Sequence, residues 1–222
     1  MGGSKIFNAN TELVNCGSDT SLDNIWDGGG TLAWWGYSIS YVSTTTAFAK
    51  ISGLDGWNID YNSFYGALTF TMGSSGTGNI QTSDSSPATT QWDHYSITFD
   101  ADDITNEPVM YQNGVLYASS PQLSPTGTRD SDAAYDFTIG NFTGGGQDFN
   151  GLLAYVHAYN RILSVDEINE IMRRPGRITS GLVGYWTCQD PGSTVYDKSG
   201  NGNNGALTGA TNSFGGPPVR LS

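Results

Sequence analysis

Polar and apolar residues alternate in short runs along most of this chain, far more often with a period of two than with the helical period of about 3.6. The cleanest run is Gln91 to Asp100, where Tyr95, Ile97 and Phe99 share one face of a strand and His94, Ser96 and Thr98 share the other. Between Gly28 and Ile51, turn glycines precede aromatic and β-branched residues, which predicts two strands and a connection. Asn58 to Met72 reads as a strand pair bent near Gly66, and residues 73–90 read as a Gly/Ser/Thr-rich loop without periodicity. Pro108 to Tyr117 carries Asn113-Gly114 between apolar flanks, a hairpin signal because a type I′ turn needs positive φ twice. Asp136 to Asn141 is a further short strand.

Phe149 to Arg161 is apolar on both faces, as in a strand buried between layers. One helix is predicted near 164–174. Ser164 can cap it, Glu167 can complete a capping box, and Ile168, Ile171 and Met172 form its apolar stripe. Arg173 and Arg174 suit the negative end of the helix dipole, and Pro175-Gly176 stops the helix. Many short strands with one short helix predict an all-β sandwich.

Composition narrows the partners. The 222 residues carry a net charge of −12 without a Lys/Arg cluster, which disfavours nucleic acid and anionic membranes. No apolar run approaches the roughly 20 residues of a membrane span. The stretch Met1 to Asn8 lacks the apolar segment of a secretory signal, so synthesis in a cytoplasm is expected. The two cysteines, Cys16 and Cys188, are read as buried free thiols; a disulfide between them requires the two ends of the chain to meet. No CxxC or His/Cys cluster points to zinc.

Several motifs occur in a telling order. Trp92-x-His94 precedes a strand, Tyr111-x-Asn113-Gly114 marks a hairpin, and Phe137-x-Ile139-Gly140 follows. Phe149-Asn150-Gly151-x-Leu153-x-x-Val156-x-x-Tyr159-Asn160-Arg161-x-Leu163-Ser164-x-x-Glu167-Ile168 comes next, and Phe7 to Val14 with Gly17 to Leu22 supplies an early strand and turn. Together they resemble the laminin-G-like, concanavalin A-like jelly-roll domain, over most of residues 6–172. The resemblance implies a jelly-roll sandwich of two antiparallel sheets.

In that family a segment like Gly181 to Trp186, followed by Asp197-x-Ser199-Gly200-Asn201-Gly202-Asn203-x-Gly205, usually precedes the equivalent of Phe7; here it comes last. Either a second domain is cut short or the order is permuted. We favour one domain over 1–222, with 177–222 supplying the strand and turn that usually come first. So short a segment cannot make a second jelly roll, and Leu182 to Cys188 could pair beside Leu152 to Tyr159.

Three chemistries have candidate residues. Asp197, Asn201 and Asn203 offer hard oxygens of the kind Ca²⁺ takes, although a tight structural turn explains the same residues. Ala154 stands where the family commonly has an acid, which weakens an inherited metal site. Trp26, Trp57, Tyr61 and Tyr65 lie in or beside predicted loops and are the candidate glycan platforms, because sugar C–H faces stack on flat rings. Trp34, Trp35, Trp92 and Trp186 are read as core. Hydrolysis would need two carboxylates across a cleft, and no strand carries an alternating acidic motif. Asp100, Asp102 and Asp103 enter a loop, and Asp166 and Glu167 start the helix. The expectation is a non-catalytic recognition or display protein. The setting expected is the virion surface of a phage-type particle, as a decoration or fibre protein bound to glycan or to other virion proteins. The alternative is an extracellular glycan-binding module or adhesin domain.

Overall fold

Two antiparallel sheets face one another, joined by a core of interlocked rings. The computed structural model describes residues 3–8, 11–40, 43–213 and 215–219. Ala9 and Asn10 of the early family-like stretch lie outside the described residues, as do Tyr41 and Val42 of the first predicted strand pair, and Phe214 and 220–222 of the C-terminal segment.

Among the described residues the first sheet has eight strands. It runs from Val115–Tyr117 through Val109–Gln112, Asp93–Phe99 and Gly30–Ser38 to Gly151–Tyr159. The far edge of Gly151–Tyr159 has two partners. Ser4–Phe7 pairs with its first half and Leu182–Trp186 with its second. A β-bulge between Ala154 and His157 separates the halves, with Tyr155 at φ 50 in the left-handed region. The extra residue of a bulge bends a strand and ends one ladder, which lets a new partner begin.

The second sheet has nine strands, ordered Ser119–Leu123, Asn79–Ser83, Ala67–Met72, Asp55–Asn62, Thr45–Ser52, Thr138–Ile139, Leu13–Asn15, Gly205–Thr208 and Thr194–Val195. Asn79–Ser83 corrects the loop expected over 73–90. Its polar sequence hides a strand that bonds to Ala67–Met72 on one side and Ser119–Leu123 on the other. The ladder supplies what side-chain pattern does not.

Inward-facing rings bridge the sheets. Trp34 meets Phe48 at 4.9 Å, Tyr61 meets Tyr95 at 5.9 Å, and Phe70 meets Phe99 at 5.4 Å between centroids. These are edge-to-face arrangements, which the ring quadrupoles favour. The alternation read from Gln91 to Asp100 holds, yet both faces of that strand are buried, His94 and Ser96 included. The cover on the outer side is the helix Val165–Arg173. Its capping box is as predicted: Ser164 accepts from the Glu167 backbone and the Glu167 side chain accepts from the Ser164 backbone. Arg161, 2.6 Å from Glu167, helps hold that carboxyl at about 2. Ile168 and Ile171 pack on Ala33, Tyr159 and Leu163 of the sheet side.

The C-terminal segment enters both sheets. Leu182–Trp186 joins the first beside Val156 to Tyr159, the second half of the stretch expected, while Ser4–Phe7 takes the first half. Gly205–Thr208 pairs with Leu13–Asn15 in the second, and Thr211–Ser213 returns to pair with Ser4–Phe7. Trp186 is fully buried and donates its Nε1 hydrogen to the Asn203 carbonyl at 2.7 Å. Cys16 and Cys188 are both buried and unbonded, and burial pushes both thiols up, that of Cys188 to about 12.

Candidate functional site: a polar groove on the second sheet

Three neighbouring strands of the second sheet, Thr45–Ser52, Asp55–Asn62 and Ala67–Met72, form the floor of an open groove of about 740 Å³ on its outer face. Alternation makes this face. In Asp55–Asn62, the side chains of Trp57, Ile59 and Tyr61 enter the core, which sends Asn58, Asp60 and Asn62 outward. Thr71 stands opposite Asn58 on the next strand. On the other side, Thr46 stands opposite Asp60, at a bulge between Thr46 and Phe48.

One wall comes from the segment Phe142 to Gln147. Thr46 receives it: its backbone N–H donates to the Gln147 carbonyl, and its strand bridges to Asp148. Phe142, Ile51 and Leu54 give the lining an apolar share. Leu54 is 88% exposed at the turn that closes one end. Toward the other end, Asn62 Oδ1 accepts from the backbone N–H groups of Phe64 and Tyr65. The eight residues of Asp55–Asn62 span about 25 Å at roughly 3.3 Å per residue.

Asp60 lies at the floor. Its Oδ1 accepts from Thr46 Oγ1 at 2.8 Å, and its Oδ2 accepts from Asn58 Nδ2 at 2.6 Å. Burial pushes its carboxyl up to about 6, against the pull of those two hydrogen bonds toward lower values. A carboxylate so held is a fixed acceptor in the groove lining.

The sequence-derived platform needs correction. Trp26, Trp57 and Tyr61 are 0%, 0% and 1% exposed. Trp26 packs edge-on against Trp57 and Phe70, Trp57 donates to Asp132 Oδ2 at 2.8 Å, and Tyr61 packs on Phe149. Rings enclosed on both faces cannot stack on a sugar. Tyr65 alone stays available, 38% exposed beside Phe64 at the hairpin tip. Trp34, Trp35 and Trp186 are core as read, and Trp92 is half-buried against Tyr37.

The Asp197–Asn203 loop is built as a turn. Both Asp197 oxygens are engaged: Oδ1 by the backbones of Tyr185 and Ser199, Oδ2 by Ser199 Oγ and the Asn203 backbone. Asn201 and Asn203 turn their Nδ2 groups to the Val183 carbonyl. Four N–H or O–H donors around one carboxylate do the work of a cation there, so the arrangement does not fit a calcium site. No group of three or more His, Cys, Asp or Glu able to hold a metal occurs among the described residues.

Asp102 and Asp103 border a separate recess that Arg129 also lines. Its guanidinium donates to the carbonyls of Ala101, Asp103, Ile104 and Asn106 and lies over the Phe99 ring.

Residues 10–169 match the family model described as the concanavalin A-like lectin/glucanases superfamily. The chain belongs to that superfamily. Solved structures of similar fold cover between 76% and 99% of the chain. One is a protein from Bacteroides ovatus assigned to carbohydrate binding, at TM-score 0.73 and 16% identity, covering 99% of this chain and 62% of that one. The chain therefore spans less than two thirds of that protein's length. A second is the heptameric SAP-like pentraxin of Limulus polyphemus, at TM-score 0.55 and 12% identity, covering 77% and 81%. A third is the CBM40 of the Ruminococcus gnavus IT-sialidase bound to α2,3-sialyllactose, at TM-score 0.51 and 14% identity, covering 76% and 97%. At these identities the likeness concerns the superfamily's fold. No curated protein sequence matches the chain.

Sequence reasoning missed the groove. Its signal was present in Asn58, Asp60 and Asn62, and in Thr69 and Thr71, which are polar at every second position of two adjacent strands.

Proposed function

We propose that this is a non-catalytic carbohydrate-binding domain whose glycan lies in the groove above Asp60. The observation that carries the reading is the groove's composition. Amides and hydroxyls from Thr46, Asn58, Asn62, Thr71 and Gln147 converge around one buried acceptor, with Phe142 and Leu54 as apolar neighbours. Sugars present the same mixture of hydroxyls and C–H faces, so such a lining matches them group for group. A protein assigned to carbohydrate binding and a module solved with a bound sialyl-oligosaccharide share the fold, which supports the reading.

Catalysis is left out because hydrolysis of a glycosidic bond uses a pair of carboxyl groups about 5–9.5 Å apart. Asp60 is the only carboxylate among the described lining residues. As the setting, we propose display on a particle or cell exterior, with a phage-type virion as the specific case; the net charge of −12 favours solubility there. Recovery of the protein in fixed proportion on purified particles would support the virion case, and absence from them would remove it.

A glycan array followed by titration tests the binding reading. The parent protein should bind at least one glycan class, and Asn58→Ala with Gln147→Ala should weaken that binding at least tenfold while the variant still melts cooperatively. Binding untouched by the pair would place the glycan elsewhere. Release of reducing ends that stops on Asp60→Asn would show catalysis and overturn the non-catalytic part.

A further inference from the structure

Fourteen described residues line the groove, and among them Asp60 alone carries a charge. The three floor strands contain a single basic residue, Lys50, and it faces the other way. Lys50 stands opposite Trp57, fully buried, with its Nζ 2.9 Å from Asp23 and 3.4 Å from Asp132. Its three protons are engaged with the Asp23 carboxylate and the carbonyls of Asp132 and Tyr135. No cation is therefore left on the floor to meet an anion. The wall Phe142 to Gln147 adds none, since it consists of Phe, Thr, Gly and Gln.

We infer that the groove selects uncharged glycans and rejects acidic ones, whether the acid is a uronate, a sialic acid or a sulfate. The inference rests on the groove being the glycan site and adds its charge class. The physical reason is an asymmetry between hydroxyls and anions. A sugar hydroxyl donates to Asp60 and accepts from Asn58 or Gln147, so both of its roles are met. A sugar carboxylate or sulfate in the same place only accepts. It faces a second anion at close range in a half-dry floor, without a guanidinium or ammonium to offset its lost hydration. The protein's charge of −12 repels it further at long range. This sets the groove apart from the Ruminococcus gnavus module of the same fold, whose structure was determined with α2,3-sialyllactose bound.

The experiment titrates the parent protein, at neutral pH and physiological salt, with linear oligosaccharides of matched length in neutral, uronic, sialylated and sulfated series. Thr71→Lys, which places an ammonium on the half-exposed outer face beside Asn58, and Asn58→Ala are run in parallel. Melting curves confirm that both variants fold. We expect a neutral series to bind, every acidic series to be weaker by on the order of tenfold or more, and Thr71→Lys to narrow that gap. Acidic glycans bound as tightly as neutral ones, with Asn58→Ala still weakening them, would overturn the charge inference while leaving the groove as the site. Glycan binding indifferent to both Asn58→Ala and Thr71→Lys would instead remove the groove reading, and this inference with it.

Discussion

On the outer face of the first sheet, Trp35, Ala154, Tyr155 and Tyr185 are packed under the helix end, in contact with Met172 and Leu182. Trp35 even donates its ring N–H to the Met172 carbonyl. On the outer face of the second sheet, Asn58, Asn62 and Thr71 remain partly open, with the segment Phe142 to Gln147 rising beside them. Both faces carry polar groups, but their fates differ. His94 and His157 are sealed in with pKa values pushed down to about 3 by burial, and both His94 ring nitrogens lack a hydrogen-bond partner among the described residues. Asp60 keeps two partners and an opening. A covered face spends polarity on nothing outside itself; an open one can offer it to a ligand.

The largest effect expected concerns what closes the covered side. Deleting 177–222 removes a strand from the first sheet beside His157 and Tyr159 and another beside Leu13–Asn15 in the second. Burial of Val183, Tyr185 and Trp186 is lost with it, each worth about 1.5–3 kcal/mol, against a whole-domain stability of about 5–15 kcal/mol. The shortened chain should be insoluble or unfolded by circular dichroism. If the order is permuted, as we propose, the same segment joined ahead of Phe7 by a Gly/Ser linker should restore a cooperative melt. A shortened chain that melts like the parent would make the segment a tail.

Next in size is a contrast between the two faces. Ile171→Ala opens a hole under the helix and should cost about 2–5 kcal/mol in denaturant unfolding. Thr71→Ala in the groove should change stability by less than about 0.5 kcal/mol, as for a surface site. Equal losses would mean that the groove is as structural as the covered face.

The smallest effect separates the faces by pH. The folded pKa of Asp60, about 6, lies above its unfolded value near 3.8. Between these values the folded state holds more protons, so this group makes stability fall as pH rises from 4 to 6, and the loss persists above. His94 and His157 run the other way: their folded values near 3 lie below 6.5, so their contribution is full above pH 6.5 and is lost as pH falls toward 3. Asp60→Asn should therefore be more stable than the parent at pH 8, by on the order of 1–2 kcal/mol. That difference should vanish by pH 4, leaving a steeper acid loss than the parent shows. A difference that is flat with pH would show that Asp60 is solvated rather than buried.

How much of this was readable in the chain depended on where the partners lie. The helix was legible because its signals are local: Ser164 and Glu167 cap it within four residues, and Pro175-Gly176 stops it just after Arg173. The Asn113-Gly114 turn is equally local, and both residues have positive φ. Trp57 and Tyr61 were misplaced for the opposite reason. The stretch from Asn58 was read as strand, but which of its faces turns inward is decided by the ladders on both sides and the core behind them. The strand Asn79–Ser83 is polar throughout except Ile80 and is fixed by its two neighbours. The groove needed a longer reach still, since Gln147 comes from a distant stretch of the chain to meet Thr46 and Asp60 on two paired strands.

The account stands or falls on which outer face meets the glycan, and backbone amide shifts measured on the isotope-labelled protein during titration with a neutral linear oligosaccharide read this directly. The account predicts saturable shifts at Thr46, Asn58, Asp60, Thr71 and Gln147, with the helix Val165–Arg173 unmoved. Saturable shifts confined to the helix face, or to the exposed Phe64–Tyr65 tip without the groove floor, would contradict it.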